Sequence, residues 1–102
     1  MTFDEQVARW KEEHGDIYRI TTDDGLTVVV REPNQDEMGR FVRRATKDVI
    51  RAMRDLVTSC ALDPSLEALS VRLDKQPGMA LTLGNKLLEL SGLMAEADMG
   101  KL

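Results

Sequence analysis

One histidine, His14, and one cysteine, Cys60, stand among the 102 residues. In principle the two could form a thiolate–imidazole nucleophile. Their settings point elsewhere. His14 closes the apolar stripe of a predicted first helix, near the end where the helix dipole accommodates a cation. Cys60 closes the apolar stripe of a later helix, where a free thiol packs as a small hydrophobe. Asp23-Asp24-Gly25 offers carboxylates but lacks the alternating oxygen ligands and closing Glu of a calcium loop, so it reads as a turn. One Cys and one His do not make a structural zinc site. Gly78 and Gly84 fit neither phosphate-cradling glycine pattern. Glu12 and Glu13 are adjacent on a solvated helix face. These patterns predict a chain that is not an enzyme and uses no cofactor and no metal.

The residues that could bind rather than react form two sets. Arg40, Arg43, Arg44, Lys47, Arg51 and Arg54 recur at three and four residues, opposite an apolar stripe. They are six of the fourteen basic residues. Residues 1–33 hold eight acids against four bases, residues 34–60 four against six, and residues 61–102 six against four. The middle is thus a basic island in a chain of net charge −4. Such a stripe is either an ordinary solvated face or a docking surface for acidic protein or phosphates. The second set is Met79, Leu83 and Leu87, with Met94 beyond. It lies on a last helix that is apolar around much of its circumference. That helix is either the central core helix or one with a side turned to a partner.

The net charge and the scarcity of aromatics, 4% of residues, argue against nucleic acid. The acidic start, Met-Thr-Phe-Asp-Glu, lacks the basic and apolar regions of a signal peptide, and no apolar run is long enough to span a membrane. A cytoplasmic location follows as the expectation. The length predicts one domain, residues 1–93, with 94–102 as a flexible tail.

The elements that must carry these sets are legible from caps and periodicity. Thr2 and Glu5 form a capping-box pattern, and Phe3, Val7, Trp10 and His14 share one face of the helix that Gly15 ends. Asp16–Thr22 and Leu26–Arg31 flank the Asp-Gly turn of a hairpin. Such a hairpin needs cover, for which the Trp10 face is the nearest candidate. Pro33 ends the second strand. Asn34 and Glu37 then cap one long amphipathic helix, whose stripe runs through Met38, Phe41, Val42, Ala45, Val49, Met53, Leu56, Val57 and Cys60. Asp63 and Pro64 are placed to start a short helix carrying Leu66, Leu69 and Leu73. After Gln76-Pro77-Gly78 a last helix runs to about Leu90, with Gly92 past its end. The predicted class is α+β and mostly helical: an N-terminal helix, a β-hairpin, a long amphipathic helix and two shorter C-terminal helices.

That order of features resembles a known group. A Trp10-bearing helix leads through His14-Gly-Asp-Ile-Tyr18 into the hairpin, which ends in Val30-Arg-Glu-Pro33. The long helix ends in Leu56-Val-Thr-Ser-Cys-Ala-Leu-Asp-Pro64. Gln76-Pro-Gly-Met-Ala80 and Leu87-Leu-Glu-Leu-Ser-Gly92 follow. Over roughly residues 5–93 the chain resembles small bacteriophage and prophage proteins similar to tail assembly chaperones. The resemblance implies a non-enzymatic job in a bacterial host cell. Such a chaperone binds the long, coiled-coil-prone tape-measure protein, keeps it soluble and helps recruit tail-tube subunits. It brings no catalytic residues to carry over. Many such chaperones occur in a short form and a frameshifted longer form, and this chain could be the short one. Contact would then fall on the basic stripe and the last helix's Leu/Met face, and homo-oligomers remain open. Two other roles fit the same features: a structural tail or head-completion subunit, and a nucleic-acid-associated regulator using the basic helix.

Overall fold

The computed structural model describes residues 2–93 and 97–102. In chain order the elements are α1 (Phe3–His14), β1 (Ile17–Thr21), β2 (Thr27–Arg31), α2 (Gln35–Ala45), α3 (Val49–Cys60), β3 (Ala61–Asp63), α4 (Leu66–Lys75) and α5 (Met79–Ser91). The fold is α+β and mostly helical, with the hairpin after the first helix.

The hairpin pairs in the expected phase. Tyr18 faces Val30 and Ile20 faces Val28, which puts both pairs on one side of the sheet. That side is the core side, where Val28 and Val30 are buried together with α3 and α5 residues. Gly25 takes a φ of 91° at the turn, a conformation that favours glycine. The cover is not the one expected. α1 contributes no buried residue, and Trp10 is only half-buried. The hairpin is completed by a third strand, β3, which pairs antiparallel with β2 beside an irregularity at Val29/Val30. Two edges of β2 are thereby satisfied, and α3 and α5 pack behind it.

The predicted long helix is two helices. α2 ends at Ala45, and Asp48 caps α3 by accepting a hydrogen bond from Arg51 N at 3.1 Å. Thr46 closes α2 through its hydroxyl, which donates to Arg43 O at 3.0 Å. The physical reason lies in Asp48. Its short side chain binds the backbone of a new helix better than it tolerates a helix interior. The chain turns there, and α2 packs against α3. Arg44 reaches Asp55 in an ion pair. On a straight helix, eleven residues would separate them by about 16 Å. Val42 and Val49, predicted for the buried stripe, are instead exposed beside the turn.

The start of α4 also differs. Asp63 belongs to β3, paired with Val29. Ser65 is the cap, accepting from Ala68 N at 3.3 Å. Adjacent polar residues offer two cap positions, and the strand claims the first.

α5 lies against α3 at close range. A Cβ placed on Gly84 would stand 3.3 Å from both Cβ and Cγ of Met53, with the Met53 sulfur nearer still. A side chain at position 84 would require the Met53 side chain to shift, so glycine suits this close seating of α5 on Met53. α5 ends where expected. Gly92 is left-handed, at φ 85° and ψ 0°, and Leu93 N donates to Leu88 O at 3.2 Å.

Candidate protein-docking surface

The break between α2 and α3 divides the basic stripe. Arg44 pairs with Asp55 on the neighbouring helix. Arg54 points the other way, to Asp74 of α4 at 2.7 Å and toward Ser70 O at 3.5 Å. Arg40, Arg43, Lys47 and Arg51 are exposed and make no ion pair among the described residues. The six residues therefore do not form one face. Four remain as available cations, and they are spread over α2, the turn and the start of α3.

The second set divides as well. Leu83 and Leu87 are fully buried in the core and have no surface to offer a partner. Their side of α5 is apolar because it packs centrally, against α3, while Thr82, Asn85, Lys86 and Glu89 are exposed. Met79 is half-buried against the same core. Met94 lies outside the described residues.

What the structure brings together instead is a mixed surface at α2 and the C-terminal end of α5. Met38, Gly39, Val42 and Arg43 line one wall of an open groove, and Gly92 and Leu93 line the other. Val42 is 52% and Leu93 53% exposed. Two glycines on the walls leave room for bulky side chains to approach the backbone. Arg43 supplies a cation at the rim, and among the described residues the lining contains no acid. Val42 was read as core and Leu93 not singled out, because the groove exists only once α2 has turned away from α3. A second depression, of about 160 Å³, lies between α2 and α3 and is lined by Arg40, Arg44, Asp55 and Thr58 among others. It falls below the roughly 300 Å³ at which small-molecule sites begin.

The geometry of α2 is set from beneath by a junction that the sequence spacing did not single out. Arg31, at the end of β2, holds Glu37 with both guanidinium nitrogens, Nη1 to Oε1 at 2.8 Å and Nη2 to Oε2 at 2.7 Å. Nη2 also donates to Ser59 O of α3 at 2.9 Å, and Nη1 to Glu32 O at 3.1 Å. Glu37 Oε1 accepts further from Asn34 N at 2.9 Å, which completes the capping box. One arginine thus ties the sheet, the start of α2 and the end of α3. The Arg31 hydrogen bonds hold the Glu37 carboxyl below its ordinary range, against the opposing effect of burial. A signal was present in Arg31-Glu-Pro-Asn-x-x-Glu37. The capping box by itself accounts for Glu37, so the spacing alone gives no separate sign of Arg31 as its partner.

Cys60 sits against this junction, fully buried, with Sγ 3.9 Å from both Arg31 Nη1 and Glu37 Oε1. Burial, reinforced by the Glu37 charge, pushes its thiol up to about 12, so the thiolate is scarce at neutral pH. His14 lies at the exposed end of α1, 3.6 Å from Glu13, and is not among the partners of Cys60. Among the described residues no three His, Cys, Asp or Glu side chains gather closely enough to hold a metal ion, and no helix is long and apolar enough to cross a membrane.

A family profile described as a domain of unknown function, DUF6848, matches residues 10–100. The chain belongs to the DUF6848 family. The match takes in every element from the Trp10 end of α1 onward, so the junction, the groove and the turn between α2 and α3 all lie within it. No curated protein matches the chain. The structure of an uncharacterised protein, RBSTP2171 from Bacillus stearothermophilus, is similar with a TM-score of 0.80 at 21% sequence identity. The alignment covers 92% of this chain and 99% of that one. At that identity the likeness speaks to the fold alone.

Proposed function

We propose that this member of the DUF6848 family is a non-catalytic binding subunit that docks an amphipathic segment of another protein along the groove between α2 and α5. The observation that carries this is the pairing of exposed apolar side chains, Val42 and Leu93, with Arg43 beside them and no acid among the described lining residues. An apolar strip with a charged rim is how a helix-binding groove obtains both affinity and register. Within that class the partner is a long coiled-coil-prone protein, and the role is that of a phage tail assembly chaperone in the host cytoplasm. It would cover the apolar stripe of the tape-measure protein until tail-tube subunits replace it. This finer assignment rests on the sequence resemblance.

The test is co-expression with the longest coiled-coil-rich protein encoded nearby. The expected result is that the long protein becomes soluble and co-purifies, and that Val42→Asp abolishes both effects while the variant stays folded. Equal solubility of the long protein alone, with nothing co-purifying, removes the chaperone assignment. A structural subunit would instead remain in purified particles, which a chaperone leaves.

The four cations that make no ion pair among the described residues favour one second reading, a polyanion-binding regulator. It requires affinity for duplex DNA that falls steeply with salt. No binding at low salt rejects it.

A further inference from the structure

α1 is a helix without a home. It has twelve residues, none of them buried, and its contacts with the rest of the fold are mainly with β1. Isolated helices of that length are marginal in water. Its apolar stripe is nevertheless well made. Phe3 and Trp10 stack edge to face with centroids 6.4 Å apart, and Val7 lies between them in sequence on the same face. Phe3 is 42% exposed. Asp4 and Glu13 flank that stripe by helical geometry. The helix holds four acids against two bases. The groove between α2 and α5 is its complement: apolar at Met38, Val42 and Leu93, cationic at Arg43, and without an acid among the described residues of its lining.

We infer that α1 of one copy seats in the α2–α5 groove of a second copy, and that the exchange is reciprocal, giving a closed two-fold dimer. Phe3, Val7 and Trp10 cover Val42 and Leu93, and one acidic flank of the helix meets Arg43. Reciprocity counts the contact twice and closes the assembly, whereas a one-way contact would propagate into chains. The groove is the surface assigned above to a partner, so a partner would displace α1. The dimer itself does not depend on that assignment and is measured with no partner present.

The experiment is sedimentation velocity on the full chain across a concentration series, with the fluorescence of Trp10, the single tryptophan, recorded on the same samples. The expected result is a monomer–dimer equilibrium that weakens with salt, with Trp10 emission shifting to the blue as dimer forms. Phe3→Ser and Val42→Asp, both at exposed positions, should each shift the protein to monomer with unchanged far-ultraviolet circular dichroism. The decisive arm is a charge exchange. Arg43→Glu alone and the Asp4→Lys/Glu13→Lys pair alone should each weaken the dimer by about tenfold or more. Mixing the two chains should restore a dimer, because both interfaces then carry opposite charges. A monomer up to about 1 mM, species larger than a dimer, a concentration-independent Trp10 spectrum, or no recovery on mixing would each overturn the inference. None of these outcomes bears on whether a coiled-coil partner binds, so the two proposals fail separately.

Discussion

Arginines serve this molecule in two contrasting settings. Arg31 lies inside, with its side chain 21% exposed, and its partner Glu37 is 7% exposed. Arg54 lies outside, 34% exposed, and its partner Asp74 is 68% exposed. Both pairs have a 2.7 Å contact. The distances alone would make them equals, but their surroundings do not. Arg31 holds two carboxylate oxygens of the buried Glu37 and two backbone carbonyls, from three segments in all. Arg54 holds one carboxylate oxygen that water can solvate equally well. Burial and the number of partners, rather than contact length, decide what an ion pair does for a fold.

The largest test of that contrast is Arg31→Met. Removing one partner of a buried pair strands the other charge, a loss of about 3–5 kcal/mol. Here Glu37 would keep Asn34 N and the weak Cys60 thiol donor, inside a nearly closed site. Urea unfolding should show the full loss in the transition midpoint. A loss under about 1 kcal/mol would place the inner pair in the same class as the outer one and break the comparison.

Cys60 sharpens the contrast from a second direction, since it shares the dry setting of Arg31. With its thiol pushed up to about 12 from an ordinary 9.0, its thiolate population at neutral pH is reduced by about a thousandfold. A disulfide reagent at pH 8 should label native protein only as fast as the fold opens, and labelling should jump when urea is added. Rapid, complete labelling of the folded chain would show that the junction admits solvent.

Acid offers a graded version of the same comparison. The Glu37 carboxyl titrates below its unfolded value because Arg31 hydrogen-bonds the charged form. A depressed carboxylate contributes stability that is fully present above the unfolded pKa and is lost as pH falls through the folded pKa. Stability measured from pH 6 downward should therefore decline along a limb that Glu37→Gln flattens. An identical acid limb in Glu37→Gln would mean that other carboxylates carry the acid response.

The contrast also explains what could be read in advance. Caps were legible because they are local: Thr2 accepts from Glu5 N, Asn34 from Glu37 N, and Gly92 turns left-handed, each within a few residues. The hairpin was legible for the same reason. The division of residues 34–60 was not, because Ala45 to Val49 is a four-residue step that keeps helical phase across a turn. β3 was hidden by its three-residue length, too short to show a period. The close approach at Gly84 depends on Met53, thirty-one positions away, so the sequence around Gly84 carried no sign of it. The candidate surface suffered from the same blindness. Leu83 and Leu87 look available on a helix apolar around much of its circumference, yet they are buried against the core, while Val42 looks buried and is not. Arg31–Glu37 joins a strand end to a helix start across a proline, where no periodicity applies.

The smallest expected effect belongs to the outer pair. A double-mutant cycle on Arg54→Ala and Asp74→Ala should give a coupling of about 0.2–1 kcal/mol at low ionic strength, vanishing in high salt. The prediction is not that Arg54 is idle. Its stem lies half-covered between α3 and α4, and Nη2 stands 3.5 Å from Ser70 O, so the single Arg54→Ala variant can lose packing with no change in charge. The cycle removes that contribution and isolates the pair. A salt-resistant coupling well above 1 kcal/mol would mean that the α3–α4 edge is as dry as the Arg31 junction. The cations on this side of the molecule would then be fixed parts of the fold, leaving Arg40, Arg43, Lys47 and Arg51 as the charges available for a partner.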